Sequence, residues 1–312
     1  MQRTPLNYLL ISLKGIAMGA ADVVPGVSGG TIAFITGIYE ELLASIKGLP
    51  TALPVLWKKD GGVKKIWEAA NLNFLLSLGL GIVLSILSLA RLMTWLLETH
   101  PIVTWSFFFG LILASVWYIM RELNRINIQV VVGFVAGTLL AWWITTVSPT
   151  ETTNATWFVF VSGAIAICAM ILPGISGSFI LLLLGKYLFM MSAIKEMKVA
   201  VILVFMAGAG VGIITFSNVL TWLLKKYHAI TVAVLGGFMV GSLNKVWPWK
   251  EVTSTYINSH GVTKPLTESN VLPTAYEAVS GQAALLVPAV VAALVGLGLV
   301  FAIEYVAKMM KR

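Results

Sequence analysis

Charge is what this sequence has least of. Only 11% of its 312 residues are charged, against about 25% in an ordinary soluble domain. So few charges cannot cover the surface of a water-soluble protein of this size, which excludes a cytosolic enzyme and a disordered chain alike. Cysteine is nearly absent too: Cys168 stands alone, so no intrachain disulfide can form. The three histidines, His100, His228 and His260, are scattered without metal-ligand spacing. There is no Ser/His/Asp grouping, no HExxH and no Gly-Lys-Ser/Thr phosphate loop. These absences predict no metal site, no cofactor and no enzymatic activity.

What is present is apolar. Hydrophobic residues make up 58% of the chain and mean hydropathy is +0.92. The expected class is an all-α polytopic membrane protein. A spanning helix needs about 20 apolar residues, and six stretches qualify: 72–97, 102–120, 127–147, 199–224, 229–247 and 283–306. Two further apolar regions, 6–46 and 155–194, are interrupted by Pro, Gly and Ser. Each reads as a re-entrant hairpin of two half-helices. Trp95, Trp105, Trp117, Trp142, Trp143, Trp157, Trp222, Trp247 and Trp249 mostly fall near predicted span ends and read as interfacial anchors. The segment 245–282 is polar, with Pro248, Pro265 and Pro273, and reads as an outer lid or partner surface.

The net charge of +8 would elsewhere suggest nucleic acid as a partner; here it sorts by side. With re-entrant hairpins, 14 of the 21 Lys and Arg fall on one side of the membrane, five on the other and two at membrane depth. The positive-inside rule then places both termini in the cytoplasm and leaves no nucleic-acid partner to explain. The apolar N-terminal run resembles a signal peptide, but Lys14 interrupts it, and retention is expected.

The two broken regions match at an offset of 148. Gly15 pairs with Gly163, Pro25 with Pro173, Gly26 with Gly174, Ser28 with Ser176, Gly29 with Gly177, Gly37 with Gly185 and Tyr39 with Tyr187. A weaker echo follows at an offset of 127, where Gly110 matches Gly237 and Ser115 matches Ser242. The chain therefore divides into repeats 1–149 and 150–312, each one hairpin plus three spans. Three spans per repeat invert the second relative to the first, a plan that places a transport site at the broken helices near the midplane.

The broken segments share a chemical logic. Pro25 and Pro173 end the incoming helix, and Gly26 and Gly174 free the backbone. Ser28, Gly29, Gly30 and Thr31, like Ser176, Gly177 and Ser178, then open the next half-helix, whose leading N–H groups lack partners and attract phosphate. A helix end is worth only about 0.3–2 kcal/mol, and desolvating an anion costs several kcal/mol, so a cation is also needed. Arg91, about six residues from its span's outer end, is the candidate. Asp22, Lys186, Glu40 and Glu41 lie close by in sequence with coupling or structural roles open.

At these residues the sequence resembles the bacterial polyprenyl-phosphate transporter family. The resemblance rests on Gly19-Ala20-Ala21-Asp22-Val23-Val24-Pro25-Gly26-Val27-Ser28-Gly29-Gly30-Thr31 and on Leu172-Pro173-Gly174-Ile175-Ser176-Gly177-Ser178. It implies a multi-pass protein of the bacterial cytoplasmic membrane. Its partners would be undecaprenyl phosphate and membrane lipids, with the lipid carrier returned from the outer to the inner leaflet for peptidoglycan and other envelope polymers. Two readings stay open beside it: a secondary transporter of a small soluble anion, and an intramembrane lipid-phosphate enzyme.

Overall fold

The computed structural model describes residues 3–23, 28–52, 63–121, 123, 126–257 and 263–309. In the first half, α1 (Pro5–Val23), α2 (Gly29–Ile35) and α3 (Tyr39–Ala52) fill the first broken region. A short α4 (Val63–Ala69) precedes three long helices, α5 (Leu72–Thr99), α6 (Pro101–Arg121) and α7 (Ile128–Thr146). The second broken region holds α8 (Thr156–Ile171), α9 (Gly177–Leu183) and α10 (Tyr187–Lys195), followed by α11 (Val199–Lys226) and α12 (His228–Ser242). Two strands, β1 (Lys250–Ile257) and β2 (Thr263–Asn270), then α13 (Pro273–Ser280) and α14 (Leu286–Met309), complete the described chain.

Of the six expected spans, α5, α6, α7 and α11 are long enough to cross, α12 and α14 are shorter apolar helices, and α1, expected as a half-helix, has 19 residues, enough to cross. Five described helices are long and apolar enough to cross a membrane: α1, α5, α6, α7 and α11. The expected span 229–247 stops early, because α12 ends at Ser242. At about 1.5 Å per residue its 15 residues reach roughly 22 Å, short of a full hydrocarbon core.

Two features depart from the expected architecture. The second arm of each broken region is not one half-helix. It breaks again at Gly37 and Gly185, which take φ of 71° and 63°, a backbone that side-chain-bearing residues rarely adopt. Beyond Gly185, α9 and α10 meet at a bend of 107°. The segment 245–282, part of a chain expected to be all-α, contains an antiparallel pair of strands, β1 and β2, with Lys250 opposite Asn270 and Val252 opposite Glu268. Pro273 opens α13, where a missing N–H costs nothing.

Lipid tails are as apolar as leucine, so helices in a membrane associate through close packing rather than the hydrophobic effect. The glycines show this. A Cβ on Gly15 of α1 would strike the Leu78 carbonyl of α5, and one on Gly163 of α8 would strike that of Phe205 in α11. Gly110 of α6 lies against Ala293 of α14, and Gly237 of α12 against Phe134 of α7. The main helix pairs are thus α1 with α5, α8 with α11, α6 with α14 and α7 with α12. Large apolar side chains such as Leu80, Leu87, Leu139, Val287 and Leu294 point outward, while Ser106, Ser115, Ser162 and Ser242 are buried. That distribution suits a surface facing hydrocarbon. Trp249, expected as an interfacial anchor, is instead buried, with its Nε1–H donating to the Ala284 carbonyl at 2.8 Å.

Candidate functional site: the junction of the broken segments

The two broken segments meet. α8 ends at Ile171, and its last carbonyls have no partner within the helix. Residues from the first segment take them up. Ser28 Oγ donates to the Met170 carbonyl at 3.1 Å, and the Tyr39 hydroxyl donates to that of Ile171 at 3.1 Å. In return, the Gly174 N–H donates to Thr31 Oγ1 at 2.9 Å. The N-terminus of α2 therefore faces the C-terminus of α8, partial positive to partial negative. Gly30 makes this approach possible, since a Cβ there would lie 2.6 Å from the Ile171 oxygen.

Several of the leading N–H groups expected to lack partners are capped instead, because short polar side chains at the breaks reach them. Ser28 has extended backbone and accepts from the Gly30 N–H at 3.1 Å, while the Gly29 N–H donates to Asp22 Oδ1 at 2.7 Å. Asp22 thus caps α2 across the break. Ser176 accepts from the Phe179 N–H at 3.3 Å and shares a 2.7 Å hydrogen bond with Ser178 Oγ. Ser28, Gly29, Gly30, Thr31 and Ser176 are buried, Gly177 is half-buried and Ser178 is exposed. Pro173 and Gly174 occupy the break after α8, with Gly174 at φ 91°. Pro25 and Gly26 lie outside the described residues.

The charged candidates separate into different places. Arg91 is exposed on α5, and among the described residues no hydrogen bond or ion pair joins it to the junction. The Lys186 side chain is buried, and Nζ donates to the Thr152 carbonyl at 2.7 Å and to Asn154 Oδ1 at 2.6 Å. It pins the connector before α8 to the bend after α9. Lys14, in α1, does the matching work at the first bend, donating to the Thr36 carbonyl at 2.7 Å. Glu41 makes a bidentate pair with Arg3 at 2.7 and 2.6 Å and accepts from Asn71 at 2.8 Å. Glu40 lies 3.2 Å from His228 Nε2 on the surface.

Sequence reasoning missed Tyr39 as a junction residue, although its match with Tyr187 was visible. It also missed a charged group under the paired strands. There Lys245 and Lys250 share the carboxylate of Glu268, with Nζ to Oε2 distances of 3.5 and 3.4 Å.

The long apolar helices, outward leucines and buried helix breaks define a multi-pass helical membrane protein with discontinuous helices at its centre. The chain belongs to the VCA0040-like family, described as undecaprenyl phosphate translocase-like, which matches residues 18–264. It is 47% identical over 299 residues to a polyprenyl-phosphate transporter of Vibrio cholerae, covering 96% of this chain and 97% of that protein. It is 35% identical over 254 residues to a polyprenyl-phosphate transporter of Staphylococcus aureus, covering 76% of this chain and 85% of that protein. No solved structure matches the chain.

Proposed function

We propose that this protein carries undecaprenyl phosphate, or a related polyprenyl phosphate, from the outer to the inner leaflet of the bacterial cytoplasmic membrane. The identity of 47% across nearly the whole chain to a polyprenyl-phosphate transporter carries this reading. The substrate is an anionic headgroup on a long apolar tail. The tail stays in lipid against the outward-facing leucines, and the headgroup needs a path lined with donors through the bundle. The junction of the broken segments supplies that path. Repeats 1–149 and 150–312 insert with opposite orientation, their broken regions re-entrant and both termini cytoplasmic.

Ser28, Gly29, Gly30 and Thr31 and, from the second repeat, Ser176, Gly177 and Ser178 contact the phosphate, and Arg91 draws it in. In the arrangement described, the Ser28 hydroxyl proton is committed to Met170. Phosphate must displace that bond, so contact with the headgroup and separation of α2 from α8 are one event. No covalent step and no cofactor are involved. The lipid gradient or an ion gradient drives movement.

Reconstitution into liposomes tests this, with outer-leaflet undecaprenyl phosphate followed over time. Inward movement should exceed that of empty liposomes and fall by roughly tenfold or more when Ser28, Ser176 and Ser178 are replaced together by Ala. Movement equal to that of empty liposomes under every ion gradient tried refutes the reading. Release of phosphate from the lipid would point to an enzyme. Uptake of inorganic phosphate without lipid movement would point to a soluble-anion transporter.

A further inference from the structure

The paired strands border a partly open pocket of about 280 Å³, large enough for several waters. Its walls are the end of α7, Phe179 and Leu183 of α9, the Asn244-Lys245 turn after α12 and the inner face of the two strands. On that face, Lys250, Glu268 and Asn270 point the same way, as alternate residues on paired strands must.

Lys250 is the unusual member. Its side chain is only 7% exposed, and Nζ sits 3.9 Å from the centroid of the Trp105 ring. Glu268 lies within ion-pair distance, but Nζ has no hydrogen-bond partner among the described residues. Its ammonium is thus buried between the Trp105 ring face and the Glu268 carboxylate at the edge of the pocket, with no well-formed hydrogen bond. Burial pushes the Lys250 pKa down to about 8; Glu268 opposes that shift and Lys245 adds to it. Two ammoniums face one carboxylate, which leaves this partly open pocket one positive charge in excess. A folded chain keeps such an uncompensated arrangement at a cost, and an arriving anion removes it.

We propose that this cavity is a binding site for a phosphate monoester, with Lys245 and Lys250 as its ligands and Glu268 as the resident counter-ion that the anion displaces. A monoester carries between one and two negative charges near neutral pH, which matches two lysines better than a carboxylate would. The proposal deepens the polyprenyl-phosphate reading and rests on it: the strand pair then lies on the outer side, and the cavity is where the headgroup loads. Position supports this. Lys245 Nζ lies 5.2 Å from the Phe179 ring, and Phe179 donates its N–H to Ser176. A phosphate leaving the lysines is beside the opening turn of α9.

The test is binding to the full chain in detergent, with undecaprenyl phosphate, undecaprenol and inorganic phosphate as separate probes. Undecaprenyl phosphate should bind and undecaprenol should not. Lys245→Gln and Lys250→Gln should each raise Kd by roughly tenfold, the worth of one charge-assisted hydrogen bond. Glu268→Gln should bind more tightly, because it removes the competing carboxylate. If inorganic phosphate also competes, the phosphate group alone is recognised; if only the lipid binds, the lipid headgroup is the ligand. Either result supports the site, provided the lysine variants weaken it. A folded double lysine variant that binds within about twofold of wild type, well under the loss of one charged hydrogen bond, overturns the proposal. So does a Glu268→Gln variant that binds more weakly, a measurement that leaves both lysines in place. Liposome transport separates the two failures. If wild type moves no lipid, the transport reading fails; if it moves lipid and the double variant is unchanged in Kd and rate, only the cavity assignment fails.

Discussion

Replacing Gly30 with alanine tests whether the two broken segments are held as tightly as described. The new Cβ would lie 2.6 Å from the Ile171 carbonyl oxygen and 3.2 Å from that of Met170. Both are backbone atoms at the end of a helix, so neither can swing aside as a long side chain would. The helices must separate instead. Overpacking of this kind costs about 1–3 kcal/mol. Separation also loosens the Ser28–Met170 and Tyr39–Ile171 hydrogen bonds, each worth about 1 kcal/mol net. A total loss of about 2–4 kcal/mol follows. Gly210→Ala on α11 is the control, because nothing lies within 4 Å of a Cβ there. Denaturant unfolding in mixed micelles should place Gly30→Ala well below wild type and Gly210→Ala within about 0.5 kcal/mol of it. Liposome transport should fall only in the former. Equal stability of the two variants would refute the close junction.

Lys186→Met leaves the Thr152 carbonyl and the Asn154 side chain without their cation. It should cost about 2–4 kcal/mol and raise hydrogen exchange across 148–155, with transport per folded molecule preserved. Lost transport at unchanged stability would instead give Lys186 a part in movement. Lys250 makes stability depend on pH. Its folded pKa is about 8 against 10.5 in a free chain, so between those values the unfolded chain holds a proton that the folded one has released. Its contribution therefore improves as pH rises through that window, by about 3 kcal/mol. The stability difference between wild type and Lys250→Met should shift toward wild type by that amount. A flat difference would place Lys250 in water.

The long spans were legible because an unbroken apolar run of about 20 residues has few other uses. The first break in each region was legible from Pro173-Gly174 and its match with Pro25-Gly26. The second breaks at Gly37 and Gly185 were not, since a single glycine inside an apolar region reads as close packing as readily as a turn. Only the matched glycines carried the signal. The strand pair was hidden in a polar stretch whose alternation is disturbed by a register shift between Val252 and Ser254. Lys245 and Lys250 had been absorbed into the count of basic residues by side. Sequence gives a lysine's side of the membrane but not its burial, and burial depends on Trp105, 145 positions away in the chain.

The helix pairs formed by the later spans bear on how the chain is made. α12 begins 100 residues after α7, and α14 begins 185 residues after α6. When α6 and α7 leave the ribosome, neither has its main packing partner, and α6 waits for the last described helix. Pairing of α6 and α7 with helices of the later half is thus the long-range step of assembly. A chain severed between α7 and α8 should regain its structure only when both pieces share one membrane.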